Sequence, residues 1–329
     1  MPGLTTDQLE QFGHDGYLIV ENVLDSDDLA AIRAEYDEIM DRVAVDLVDR
    51  GVIRPLSGRS FSERYIEAFA QLDDMYTLYQ HLEISLPMLD LLEPTATMNT
   101  GPAVFGLLTN SRLLDIAESV IGPEIYSNPV QHARIKPPSS ALPDAATDAN
   151  VAKTVWHQDA AVVEPVADET DTLTVWVAMT DATVDNGCLI AVPRNGYQDR
   201  TLHCPGKLFQ AEIYIPDQII DQQRVIPLEV GAGGIVLLHK LTEHASPDNT
   251  TDDIRWSFDL RYQPIGQPTG RDVFPGFVAR SMADPDSVLS DHQQWAQLWW
   301  DARDRIASGE VDMRFGGRWN HNSTQPVCA

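Results

Sequence analysis

Residues 255–262 read RWSFDLRY, and every second side chain changes character. Trp256, Phe258, Leu260 and Tyr262 fall on one face, and Arg255, Ser257, Asp259 and Arg261 fall on the other. A repeat of two is that of a β-strand and not of a helical stripe. Such a strand needs an apolar layer on one side and an environment that tolerates charge on the other. TLTVWVAMT (172–180) repeats the pattern, with Leu173, Val175, Val177 and Met179 opposite Thr174, Trp176 and Ala178. GCLIAVP (187–193) and GGIVLLH (233–239) are short apolar runs bounded by glycine and proline, the pattern of buried strands. Short strands joined by long loops, from about residue 124 onward, predict an antiparallel double-sheet barrel: a jelly roll, or cupin-like double-stranded β-helix.

The chain before residue 124 differs in kind. Thr5 or Thr6 can cap a short helix, and GYLIVENVL (16–24) follows as an early strand. Ser26 is placed to cap a long helix with Asp27 and Asp28 in its first turn, where the helix dipole favours acids. Leu29, Ile32, Tyr36, Met40, Val43 and Leu47 form its buried stripe, and Gly51 ends it. Residues 61–93 and 110–124 read as further helix. A last helix spans 290–307, with Ser290 and Gln293 as a capping box and Trp295, Leu298, Trp299, Ala302 and Ile306 as its stripe. The expected layout is one domain of 329 residues, mainly β with flanking helices. Residues 1–123 give mainly helical support, 124–264 the jelly-roll core with an insertion at 196–230, and 265–329 a C-terminal extension. The turn-rich stretch 137–150 reads as a loop.

Composition narrows the function. A hydrophobic content of 43% fills a large core, and no apolar run approaches the ~18–20 residues of a membrane span. The start, MPGLTTDQLEQFG, lacks the basic and apolar stretches of a secretion signal. A net charge of −27 repels nucleic acid and anionic membranes and reads as a solubility device, with attraction of cationic substrates as the alternative; no nucleic-acid or membrane partner is expected, and the expected partner is a small-molecule substrate. Cys188, Cys204 and Cys328 are scattered and odd in number, which argues against a disulfide framework or zinc ribbon and fits a reducing cytoplasm. Nothing in the pattern fixes an oligomeric state.

One constellation carries chemistry. WHQD (156–159) puts His157 and Asp159 two residues apart at an expected strand end, so both side chains point the same way. With a second imidazole from a distant strand they would make the two-histidine, one-carboxylate facial triad of non-haem Fe(II) oxygenases. His239 and His244 are the candidates. His244 is favoured because Arg255 follows eleven residues later, at the head of the alternating strand. If the polar face of that strand looks into the barrel, Arg255 and Ser257 project into the pocket. A buried cation there calls for a dicarboxylate with one end on the metal and the other on Arg255. His239 reads as a packed or supporting histidine. Gln131, on a strand before the site, is a candidate for contact with co-substrate or substrate. Arg134 and Lys136 read as solvated or ion-paired, and Asp259 and Arg261 as paired with neighbours.

The chain resembles the phytanoyl-CoA dioxygenase family of Fe(II)/2-oxoglutarate oxygenases. The resemblance is carried by WHQD, by LTVWVAMTDATVDNGCLIAVPRNGY (173–197) and by HASPDNTTDDIRWSFDLRYQP (244–264). QFGHDGYLIVENVL and LLDIAESVIGP add weaker support. The resemblance implies metal ligands at His157, Asp159 and His244, and Arg255 as anchor of the far carboxylate of 2-oxoglutarate. It implies that Ser246 and Trp176 line the co-substrate pocket. It further implies Fe(II), 2-oxoglutarate and dioxygen as the reacting set. Halogenating relatives carry a small residue where this chain has Asp159, so the carboxylate implies hydroxylation or a related oxidation. PRNGY (193–197) departs from the family's usual Pro-Gly-Ser-His and weakens any transfer of substrate. The alternative reading is a metal-binding, cupin-like barrel that is catalytically silent or an isomerase not using 2-oxoglutarate.

Overall fold

The computed structural model describes residues 3–57, 59–72, 76–87, 92–142, 152–197, 199–206, 213–312 and 317–328. The chain opens with α1 (Thr6–Asp15), β1 (Tyr17–Val20), α2 (Ser26–Asp49), α3 (Phe61–Phe69), α4 (Tyr76–Leu82), α5 (Pro102–Leu108) and α6 (Ser111–Ile121). Strands follow: β2 (Ile125–Ser127), β3 (His132–Lys136), β4 (Thr154–His157), β5 (Leu173–Ala178), β6 (Leu189–Val192), β7 (Cys204–Pro205), β8 (Ile213–Tyr214) and β9 (Ile226–Leu228). After these come β10 (Ile235–His239), β11 (Glu243–Ser246), β12 (Arg255–Pro264), β13 (Phe277–Arg280) and α7 (His292–Ala307).

Two antiparallel sheets form the jelly roll. The larger runs β1-β10-β5-β12-β2-β13, with β3 also paired to β12; the smaller runs β4-β11-β6-β9. Alternation decides which side of each strand is dry. Trp256, Phe258, Leu260 and Tyr262 of β12 join Leu173, Val175 and Val177 of β5 in the core shared with the helices. Tyr36 of α2 seals this layer, its ring 4.7 Å from Trp256 and its hydroxyl donating to the Leu82 carbonyl at 2.7 Å. Trp176 and Ala178 face the other way and pack with Leu189, Ala191 and Leu228 of the smaller sheet. The polar face of β12 therefore looks between the sheets, as the period of two requires. Among the described residues no helix is long and apolar enough to cross a membrane.

Several local expectations change. The cap of α2 is Asp25, whose carboxylate accepts from the Asp27 and Asp28 amides; Ser26 is the first helical residue. Asp is as good a cap as Ser, and an acidic run hides which member comes first. The cap of α7 is likewise Asp291, not Ser290, and Leu298 is 39% exposed while Trp295, Trp299, Ala302 and Ile306 are buried. Among the described residues of 61–93, expected to be helical, α3 and α4 are helices and residues 83–87 are not. Strands also occur outside 124–264, because β1 pairs β10 and β13 pairs β2. Within 196–230, β7 and β8 form a ribbon and β9 joins the smaller sheet. Residues 143–151 of the expected loop lie outside the described residues.

The cysteine reading is also corrected. Cys204 and Cys328 are joined by a disulfide, with Cα atoms 5.4 Å apart across 124 residues of sequence, and Cys188 is free and buried. That separation falls within ordinary disulfide geometry. No spacing rule links the two positions, and the argument for a reducing compartment drawn from cysteine usage falls with the correction.

Candidate metal centre

Register brings the two histidines together. His244 on β11 stands directly opposite His157, the last residue of β4, and their ring centroids are 4.2 Å apart. Asp159 opens a short 3-10 turn, Asp159–Ala161, which is pinned by the Ala160 amide donating to the Lys240 carbonyl at 2.9 Å. One ligand atom from each of His157, Asp159 and His244 lies within 4.8 Å of the others. His157 Nε2 is 3.9 Å from Asp159 Oδ1, a spacing that one ion can bridge.

The hydrogen bonds set the protonation of the donors. His157 Nδ1 contacts the Val155 carbonyl at 2.9 Å, and His244 Nδ1 contacts the Thr242 carbonyl at 2.9 Å. A carbonyl only accepts, so each Nδ1 carries the proton and each Nε2 presents its lone pair. Burial, then the neighbouring His244, lowers the His157 pKa to about 3, which keeps the ring neutral. Burial pushes the Asp159 carboxyl up, but Arg261, His244 and His157 outweigh it and leave its pKa well below the usual carboxylate range. Thr174 donates to Asp159 Oδ2 at 2.5 Å, and Arg261 donates to Oδ1. Two imidazoles that turn Nδ1 to a carbonyl and keep Nε2 for a metal, with one carboxylate, suit a divalent non-haem iron, with open coordination positions left over.

Across the space between the sheets, the inner face of the larger sheet carries a second feature. Arg255 and Lys136 are paired across β12 and β3, and each is only 2% exposed. Arg255 donates to Ser257 Oγ at 2.6 Å and Ser246 Oγ at 3.0 Å, and its guanidinium carbon lies 5.3 Å from the Trp176 ring centroid. Lys136 Nζ donates to Ser246 Oγ at 2.7 Å, to its carbonyl at 3.2 Å and to the Pro247 carbonyl. Ser246 in turn donates to the Gly187 carbonyl at 2.9 Å. Gly187 must be glycine: φ is +76°, and a Cβ would run into the Pro247 carbonyl. Among the described residues neither cation has a carboxylate in salt-bridge contact, and Arg255 Nε has no partner. Burial, then the mutual repulsion, brings the Lys136 pKa down to about 6. Burial brings that of Arg255 to about 10. Two buried basic side chains sharing one hydroxyl fit an incoming carboxylate, which would favour the charged form of both.

The structure brings His157, Asp159 and His244 into one cluster, and Arg255, Ser257, Ser246 and Trp176 into the adjoining one. Gln131 is buried and donates to the Ile84 carbonyl at 3.0 Å. His239 stays outside the cluster, beside Phe12, where its Nδ1 accepts from the Leu241 amide at 3.1 Å. Two residues were given only secondary roles in the sequence, as fallback anchors should Arg255 not serve. Lys136, expected to be solvated or ion-paired, is buried beside Arg255 and Ser246. Arg261, expected only to pair with a neighbour, pairs with a candidate metal ligand. HARIK alternates, so a face shared by His132, Arg134 and Lys136 was readable, but its register against β12 was not.

A family model described as phytanoyl-CoA dioxygenase (PhyH) matches residues 12–257. "Phytanoyl-CoA dioxygenase domain-containing protein 1" of Bos taurus is 22% identical over 282 residues, which cover 78% of this chain and 89% of that protein. Among solved structures, ThoJ, a non-heme monooxygenase in its apo form, superposes with a TM-score of 0.54 at 19% identity, covering 94% of this chain and all of that one. SnoN, an epimerase in complex with Fe3+, alpha ketoglutarate and nogalamycin RO, superposes with a TM-score of 0.51 at 18% identity, covering 80% of this chain and 86% of that one. At these identities the structural likeness speaks for the shared jelly roll.

Proposed function

The chain belongs to the phytanoyl-CoA dioxygenase family, and on that premise we propose that it is an Fe(II)- and 2-oxoglutarate-dependent dioxygenase that hydroxylates an unactivated C–H bond of a small metabolite, with release of succinate and carbon dioxide. The observation that carries this reading is the pairing of two sites in the space between the sheets, linked by Ser246 of β11, which meets both Arg255 and Lys136. A two-histidine, one-carboxylate triad lies beside two buried basic side chains that, among the described residues, have no carboxylate in salt-bridge contact. A metal site alone would not need Arg255 and Lys136; a dicarboxylate that also reaches the metal needs both.

Bound iron would supply the site at which 2-oxoglutarate and dioxygen are activated. The chain's own residues do the rest. His157, Asp159 and His244 would hold the ion. Val155 and Thr242 fix the ring tautomers. Arg255, Lys136 and Ser246 fix the far carboxylate of the co-substrate, and Trp176 covers the guanidinium. Ser257 supports this pocket through Arg255, and Gln131, held by the Ile84 carbonyl, is kept as a candidate contact to co-substrate or substrate. The apolar layer behind β5 and the smaller sheet excludes water.

The experiment is an anaerobic titration. Fe(II) and then 2-oxoglutarate are added to the protein while the visible spectrum is followed, and succinate formation is then measured across a panel of small metabolites in air. A weak visible charge-transfer band and substrate-dependent succinate are expected. Fe(II) binding with no response to 2-oxoglutarate would instead favour an isomerase or a silent barrel. Product analysis separates hydroxylation from epimerisation, the activity ascribed to SnoN.

A further inference from the structure

The family match ends at residue 257, but the metal-bearing turn is held by residues far beyond it. Arg318 donates to the Ala160 carbonyl at 3.2 Å and the Val163 carbonyl at 2.8 Å, and to Asp168 Oδ1 at 2.5 Å. Trp319 Nε1 donates to the Ala161 carbonyl at 3.0 Å. Three carbonyls in the four residues after Asp159 are thus satisfied by two side chains of the C-terminal segment. Buried carbonyls need such partners, and these come from a piece of chain that the barrel strands do not supply.

A second line of contacts reaches the residue between the ligands. The Trp319 ring stacks on His203, centroids 5.2 Å apart at 29°. His203 Nδ1 faces the Thr201 carbonyl at 2.8 Å, so its Nε2 accepts the Gln158 amide at 3.1 Å. Gln158 lies between His157 and Asp159. Asn322 donates to the His203 carbonyl at 2.8 Å. Cys204, next to His203, is bonded to Cys328. The segment 317–328 therefore grips the turn by Arg318 and Trp319 near its start and is tied covalently at its end.

We propose that residues 317–328 are a disulfide-locked strap, in which Arg318 and Trp319 are positioning residues for Asp159 and His157, so that metal affinity depends on whether Cys204 and Cys328 are joined. The proposal rests on the reading of His157, Asp159 and His244 as metal ligands. Opening the lock takes two electrons and two protons from a dithiol, which leaves as its cyclic disulfide while two thiols remain on the protein. The freed tail then loses its tether, and the carbonyls of Ala160, Ala161 and Val163 lose fixed donors. Supporting contacts of this kind typically change metal affinity by about 10- to 100-fold when removed.

The test uses the full chain and Fe(II) alone, titrated anaerobically by calorimetry far below the melting temperature. Wild type is compared with Cys328→Ser, Arg318→Ala, Arg318→Lys and wild type reduced by dithiothreitol and desalted. Ile306→Ala, in the helix-side core, controls for lost stability. The strap variants and the reduced protein should bind Fe(II) about 10- to 100-fold more weakly. Arg318→Lys should recover part of the loss, and Ile306→Ala should keep wild-type affinity despite a lower Tm. Unchanged affinity in the strap variants, with Fe(II) still bound by wild type, overturns the strap alone. Three alkylatable thiols in the unreduced, denatured chain overturn the lock. Absence of Fe(II) binding by wild type overturns the triad as well as the strap. Arg318→Lys is mild enough to keep the question decidable if harsher variants fail to fold.

Discussion

Arg261 holds Asp159 in place from the neighbouring sheet: one amino group of its guanidinium donates to Asp159 Oδ1, and the other donates to the Val130 carbonyl at 2.7 Å. With Thr174 on Oδ2, the carboxylate has a fixed orientation before any ion arrives. Each oxygen keeps a lone pair for a metal. Arg261→Met should weaken Fe(II) binding by about 10- to 100-fold. It should also destabilise the metal-free protein by about 3–5 kcal/mol, because a buried carboxylate loses its cation. Added Fe(II) should return part of that stability, since the ion supplies the missing positive charge. Calorimetric melting with and without Fe(II) checks this, and equal losses in both conditions would deny Arg261 the role.

The triad itself is tested by its outsider. His157→Ala or His244→Ala should abolish Fe(II) binding at stoichiometric metal, because each removes one of three protein bonds. His239→Ala should bind as wild type does, because its ring packs beside Phe12 and faces the Leu241 amide. Metal content after desalting is the measurement. Loss of metal in His239→Ala alone would refute the assignment.

Arg255→Ala or Arg255→Gln should leave iron in place and raise the requirement for 2-oxoglutarate steeply. The far carboxylate would be stranded without its planar donor pair, a loss on the order of 2–5 kcal/mol, or roughly 30-fold to several thousand-fold in affinity. Lysine should rescue only in part, because it offers a point charge. Half-saturation of the visible band by 2-oxoglutarate reports the effect, and an unchanged value for Arg255→Ala would place the anchor elsewhere.

Lys136 makes co-substrate binding depend on pH. Its pKa is about 6 in the ligand-free fold, against about 10.4 for an unfolded lysine. Between those values the unfolded chain holds a proton that the fold does not, so this group makes the ligand-free protein more stable as pH rises through the window. A dicarboxylate beside Nζ restores the charged form, so its binding takes up a proton in the same window. Affinity for 2-oxoglutarate should therefore fall as pH rises above 6, by up to about tenfold per unit. Lys136→Met should bind more weakly and lose this slope. A wild-type affinity flat between pH 6.5 and 8.5 would show that Lys136 does not change its charge on binding.

Much of the architecture was legible because a strand's period of two is local information. RWSFDLRY fixes which side chains of β12 are dry and which are not, whatever they pack against. Where a choice was between equivalent neighbours, the sequence was silent: Asp25 and Ser26 are both good caps, and only the path of the chain into α2 selects Asp25. Lys136 shows a different limit. A lysine on an alternating strand is ordinarily solvated, and its burial depends on Ser246 and Pro247, 110 and 111 residues away, closing over it.

The sequence by itself determined the two-sided strands, the His157-x-Asp159 pair and the choice of His244 and Arg255, because those signals are written within a few residues of one another. Tertiary structure alone decided that His157 and His244 stand opposite each other across β4 and β11, that Arg261 grips Asp159, and that Cys204 reaches Cys328. The reason is physical. Periodicity sets the face a side chain takes on its own strand, whereas register and chain path set which distant face it meets, and those follow from packing the whole core at once.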